Sequence, residues 1–159
     1  MGNKMETVTM RIWYEDDELA ILFDKKPNPD IRYPLPIMTT REKKSIEKYP
    51  FINNSTLGVT LKDKKKGKEY SFIVPKDYCW DGASIPRFFW RLIGAKTDPR
   101  FLIPSMIHDQ LCEHHHYVDN DRYFADKVFE RLLFVSGVSA FKRWMMFHST
   151  DNFQKFCKW

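Results

Sequence analysis

Thr56-Leu57-Gly58-Val59-Thr60-Leu61, the charged run Lys62-Asp63-Lys64-Lys65-Lys66-Gly67-Lys68, and Tyr70-Ser71-Phe72-Ile73-Val74-Pro75 together decide the fold. Both flanks alternate apolar and polar side chains with the period of two that a half-buried strand requires, so the glycine-containing run between them reads as a hairpin tip. Leu57, Val59 and Leu61 form one inward set. They face Tyr70, Phe72 and Val74 or the opposite parity, because alternation specifies a strand without fixing its register.

Upstream, Thr7 to Tyr14 places Val8, Met10, Ile12 and Tyr14 on one face of a strand. Glu15-Asp16-Asp17-Glu18 turns the chain, and Leu19-Ala20-Ile21-Leu22-Phe23 returns as a second strand, giving a first hairpin. Between Lys25 and Pro36 four prolines, Pro27, Pro29, Pro34 and Pro36, remove backbone donors and predict a loop or an edge segment. Residues 38 to 50 are too polar for a periodicity to emerge.

Downstream, Trp80-Asp81-Gly82-Ala83-Ser84-Ile85-Pro86 is a tight turn, with Gly82 supplying backbone freedom and Ser84 placed to cap a short helix that Gly94 ends. The period then changes. Leu102 to about His115 is a helix with Pro104 in its first turn, and Asp121 to Ser136 is a second, with Asp119 or Asn120 as caps. Gly137 closes that helix, and Ser139 starts a third through Phe156. Strands first and helices second define an α+β chain: one domain over 1–159, mainly β over 5–75 and mainly α over 84–157, with two hairpins in an antiparallel sheet packed by about three helices.

The chain has 159 residues, 43% of them hydrophobic and 16% aromatic, enough for one core without staples. Cys79, Cys112 and Cys157 are too widely and irregularly spaced for a zinc knuckle and read as reduced thiols. No segment has the length and apolarity of a transmembrane span, and no signal peptide stands at the N-terminus, so a cytoplasmic location is expected. The net charge of +5 keeps nucleic acid open as a partner without favouring it; the lysine run is more simply a solvated turn.

The residues with chemical potential are His108 and Asp109 in Ile107-His108-Asp109-Gln110-Leu111-Cys112, and Asp126 in Ala125-Asp126-Lys127. Successive helical side chains diverge by about 100°, so His108 and Asp109 serve different positions. If the two long helices pack against each other, Asp126 approaches His108, fixes its tautomer and raises its basicity, as in a general-base dyad. Asp109 and Asp81 are then left for a divalent cation, a substrate or a structural hydrogen bond, with Gly82 and Ser84 supporting the turn. The alternative is a hydrogen-bonded lock between helices. His108, Cys112 and His115 also share a helical face, but a histidine loop explains His114-His115-His116 better than zinc does. The aromatics Phe88, Phe89, Trp90, Trp144 and Phe147 suit a core better than base stacking, and Ser84 lacks a nucleophile elbow.

Phe72-Ile73-Val74-Pro75, Trp80 to Pro86, Ile107-His108-Asp109, Ala125 to Phe129 and Gly137-Val138, in this order, resemble domain of unknown function 1353, an uncharacterised phage and prophage family. The resemblance covers about residues 55 to 156. It implies a bacterial or phage setting, in the cytoplasm of an infected or lysogenic cell or associated with the virion, and brings no established activity. The His-Asp and Ala-Asp elements are also similar to the phospholipase A2 site of the viral capsid type. That likeness implies His108 as base, Asp109 as calcium ligand and Asp126 as orienting group. The chain departs from it in lacking a Tyr-x-Gly-x-Gly loop, for which Trp80-Asp81-Gly82 is the nearest substitute, and in carrying Leu111-Cys112 where a tyrosine often follows. The expectation is a phage-encoded hydrolase-like protein, with calcium or a transition metal as the only candidate cofactor. The alternatives are a non-enzymatic accessory protein binding a phage or host protein, and a basic nucleic-acid-binding module.

Overall fold

A computed structural model describes residues 9–81 and 98–145. Gly82, Ser84 and the short helix expected before Gly94 lie outside the described residues, as do Cys157 and the end of the third helix; residues 140–145 are helical.

The two hairpins form one antiparallel sheet. Strands β1 (Arg11–Glu15), β2 (Leu19–Phe23), β5 (Leu57–Asp63) and β6 (Lys68–Val74) pair in the order β1-β2-β5-β6. Leu57 pairs with Val74, Val59 with Phe72 and Leu61 with Tyr70, and these six side chains are buried, which settles the parity left open by alternation. Strand β1 departs from strict alternation. A bulge between Ile12 and Tyr14 sets Ile12 opposite Leu22 but Tyr14 opposite Ile21, so Tyr14 packs on the core while Ile12 is 62% exposed.

A second, three-stranded sheet joins β3 (Pro29–Ile31), β4 (Phe51–Asn53) and β7 (Cys79–Trp80) in the order β3-β4-β7. The proline segment thus supplies an edge strand, where missing donors are tolerated. Strands of two or three residues show no period, which is why β4 and β7 escape a sequence reading. The polar stretch before β4 is helix α1 (Thr40–Lys48), started by a reciprocal capping box between Thr39 and Glu42 and burying only Ile46.

Two long helices follow: α2 (Leu102–Glu113), led in by a 3-10 turn at Pro99–Phe101, and α3 (Arg122–Val135), reached through a 3-10 turn at His115–Val118. The cap of α3 is Asp121, whose carboxylate accepts from the Phe124 amide at 3.0 Å, and not Asp119 or Asn120. Those two residues have positive φ, 53° and 60°, and make the turn that delivers Asp121. Gly137 leaves α3 with φ of 89°, a conformation that favours glycine.

The helices cover the inner face of the larger sheet. Leu19, Ile21, Phe23, Leu57, Val59 and Leu61 meet Met106, Ile107, Leu111, Phe124, Val128 and Leu132 in one apolar core. A smaller cluster of Phe101, Phe129, Leu133 and Val138 extends it beneath α3. Packing of α2 on α3 brings their polar residues together.

The lysine run is a solvent-exposed turn, and its lysines also have acidic partners. Lys64 pairs with Glu15 at 3.0 Å, Lys65 with Glu18 at 3.5 Å, Lys66 with Asp121 at 2.6 Å and Lys68 with Asp119 at 3.2 Å. The tip therefore ties β5 and β6 to the first acidic turn and to the start of α3.

Candidate functional site

His108 and Asp126 meet between α2 and α3. His108 Nε2 lies 3.2 Å from Asp126 Oδ1, and both residues are buried, at 8% and 4% exposure. Burying these groups apart would cost several kcal/mol in lost hydration, of order 1–3 kcal/mol for each unsatisfied neutral group and more for a charge, so their mutual bond is what makes the placement tolerable. Asp126 also faces Arg122, one turn earlier on α3, at 3.9 Å. The ring of His108 rests on Phe129, with centroids 4.7 Å apart.

The second ring nitrogen of His108 has a definite neighbour. Cys112, one turn later on α2, places Sγ 3.7 Å from Nδ1. The same sulfur is 4.0 Å from Nε2, so it lies between the two ring nitrogens in a long contact and is not directed at either one. Asp126, His108 and Cys112 thus form a chain from carboxylate through imidazole to a half-buried sulfur. The i to i+4 spacing of His108 and Cys112 was the signal for the last link.

Asp109 turns the other way. Its charge, with those of Glu113 and Asp81, acts on Tyr78, which lies between β6 and β7. Burial holds the Tyr78 hydroxyl protonated far above its ordinary range, and the three carboxylates reinforce that direction. The hydroxyl makes no hydrogen bond of good geometry among the described residues. Tyr78 stacks on Trp80, whose Nε1 donates to Ser105 Oγ at 2.9 Å, and Ser105 in turn donates to the Leu102 carbonyl at 3.2 Å. Trp80 is therefore the peg that fixes Asp81 relative to the start of α2. Tyr78 carries no motif that marks it in the sequence; it meets Asp109 and Glu113, one turn apart on α2, through the packing of the smaller sheet against that helix.

The four candidate residues divide into two sets: His108 with Asp126, and Asp109 with Asp81. Among the described residues no three His, Cys, Asp or Glu side chains converge in a way that would hold a metal ion. Among the described residues the donors do not make up a calcium or transition-metal centre. The histidines after α2 are not a ligand cluster either. His114 stacks on Tyr117 at 4.9 Å, and His115 falls in a 3-10 turn beyond the helix, off the face it would share with His108. Cys79 and Cys112 form no disulfide with each other.

Two recesses elsewhere bypass this centre. A groove of about 720 Å³ runs past Gly58, Ser71 and Ile73, and a cleft of about 310 Å³ opens between Tyr123 and Trp144. Neither is lined by His108 or Asp126.

Comparison with known proteins adds a family and little chemistry. Residues 58–150 match the profile of a family described as protein of unknown function (DUF1353). The uncharacterized protein y4jT of Sinorhizobium fredii (strain NBRC 101917 / NGR234) is 40% identical over 53 residues, which are 28% of this chain and 16% of that protein. The chain thus covers well under two thirds of that relative. No solved structure matches. Among the described residues no helix is long and apolar enough to cross a membrane.

Proposed function

The chain belongs to the family of unknown function DUF1353, and from that premise we propose that it is a hydrolase-like protein in which His108 acts as general base and Asp126 orients it. The observation that carries this reading is the 3.2 Å contact from His108 Nε2 to Asp126; in the proposed tautomer the proton stays on Nε2 and Nδ1 is the base. In the proposed step, a water molecule takes the place of the thiol beside Nδ1 and gives up a proton there as its oxygen attacks an ester-type carbonyl; the tetrahedral intermediate then collapses with cleavage of the ester C–O bond, and the imidazolium returns the proton to the departing alkoxide. Asp126 steadies the imidazolium that results. Asp109 and Asp81, on the Tyr78 side of α2, are proposed to contact substrate.

A second reading has support in the same burial: the pair fastens α2 to α3, and the chain is a non-enzymatic accessory protein. A basic nucleic-acid-binding module is the third reading; it draws less support from the hairpin tip, where four lysines have acidic partners.

The test is turnover of a panel of p-nitrophenyl and phospholipid esters by the wild-type chain and three variants. Asp126→Asn keeps a hydrogen-bonding side chain but favours the wrong tautomer, so it is expected to lower turnover by at least a hundredfold with the fold retained. His108→Ala is expected to abolish turnover, and Cys112→Ser to preserve it. Wild-type inactivity across the panel, or turnover that survives His108→Ala, sinks the hydrolase reading. A large fall in melting temperature for both pair variants, with no activity to lose, establishes the fastening role.

A further inference from the structure

Helix α1 and the loop leading into it carry two features that the fold does not use. The first is a rigid apolar tip, Tyr33-Pro34-Leu35-Pro36-Ile37, in which Tyr33 is 69%, Leu35 53% and Ile37 91% exposed. Pro34 and Pro36 restrict its backbone, and the Met38 amide closes a turn onto the Leu35 carbonyl at 3.1 Å. The side chains are therefore held outward at little further loss of conformational entropy.

The second feature is charge. Arg41, Lys43, Lys44 and Lys48 are exposed, and among the described residues none takes part in a salt bridge. At about 100° per residue, Arg41, Lys44 and Lys48 fall within about 60° of one another and about 140–160° from Ile46. Since Ile46 is the buried residue of α1, this stripe points directly away from the protein. Of the intervening acids, Glu42 is held in the capping box by the Thr39 amide at 3.0 Å. The helix begins three residues after Ile37, with Thr39 as its cap, so apolar tip and basic stripe adjoin in the chain.

We propose that the Tyr33–Ile37 tip and the outward face of α1 form a peripheral docking surface for an anionic phospholipid bilayer. Leu35 and Ile37 enter the boundary between headgroups and acyl chains, and Arg41, Lys44 and Lys48 lie against lipid phosphates. Two complementarities select this occupant. A polyanion such as duplex DNA answers the basic stripe but offers no apolar layer for Ile37. A protein partner needs about 800 Å² on each side, more than three side chains on one loop supply.

The full chain is tested by co-sedimentation with vesicles of phosphatidylcholine alone and with 30% phosphatidylglycerol, at low and high salt. Partitioning is expected onto the anionic vesicles only, and it is expected to weaken at high salt. Arg41→Gln with Lys44→Gln should lower it about 30-fold, from about 1 kcal/mol for each basic residue at a charged surface. Ile37→Asp should lower it at least tenfold, while Lys64→Gln with Lys65→Gln, whose native lysines are paired within the protein, should leave it unchanged. All these positions lie at the surface, and circular dichroism verifies that each variant is folded. Absence of partitioning at low salt, wild-type partitioning by Ile37→Asp, or binding to duplex DNA with vesicles ignored each overturns the proposal.

Discussion

Lys64, Lys65, Lys66 and Lys68 in the β5–β6 tip and Arg41, Lys43, Lys44 and Lys48 on α1 are sets of similar charge in similarly polar stretches of sequence. The fold treats them differently. The tip lysines meet Glu15, Glu18, Asp121 and Asp119, two of which lie more than fifty residues further along the chain. The α1 cations meet none among the described residues and are turned outward. Charge density in the sequence therefore does not distinguish a latch from a docking surface; the carboxylates that topology brings alongside do.

The sharpest way to break the comparison is at the acidic turn. Asp16 accepts hydrogen bonds from the Glu18 and Leu19 amides, from Tyr14 Oη at 2.7 Å and from Arg131 Nε at 2.7 Å. Burial pushes its carboxyl pKa up, but the bonds from Arg131, Tyr14 and the two amides outweigh it and hold the carboxyl well below the usual range. Because the folded value lies below the unfolded one, near 3.9, this stabilisation is present above about pH 4 and is lost as the pH falls toward the folded value. Asp16→Ala should cost about 2–3 kcal/mol at pH 7, the worth of hydrogen bonds to a charged group, and Asp16→Asn should flatten the fall in melting temperature between pH 5 and pH 2. Thermal denaturation across that range checks both.

Asp121→Ala should have the next largest effect. It removes the N-cap of α3 and the partner of Lys66 together, for about 1–2 kcal/mol or about 2–8 °C in melting temperature. Asp119→Ala, which removes only an exposed pair, is expected to fall well short of that in the same scan.

The smallest effects sharpen the contrast between the two lysine sets. Lys64→Gln with Lys65→Gln should cost less than about 1 kcal/mol, and the cost should shrink as salt is added. Lys44→Gln should change stability by no more than about 0.5 kcal/mol at any salt concentration. Denaturant titrations at two ionic strengths separate the pair; equal salt dependence in both would erase the distinction.

How much of this was legible follows from the range over which each signal acts. The β5–β6 hairpin and the two long helices are written in local periodicity, and their packing brought His108 to Asp126 as helical geometry suggested. The β1 bulge was not legible, because Ile12 and Tyr14 keep the alternation that the backbone breaks. Helix α1 was missed for want of apolar residues, although Thr39 and Glu42 spell a capping box. The choice of Asp121 over Asp119 or Asn120 depends on two positive φ values in a run of three residues that all suit a cap. Tyr78 had no signal at all, since its neighbours Asp109 and Glu113 reach it across the packing of the smaller sheet against α2.

One feature joins these regions in an unexpected way. The Asp121 carboxylate caps α3 through one oxygen and receives Lys66 through the other. Asp126, which contacts His108, stands little more than one turn beyond that cap. A single carboxylate thus ties the first turn of α3 to the hairpin tip on the opposite side of the chain's connectivity.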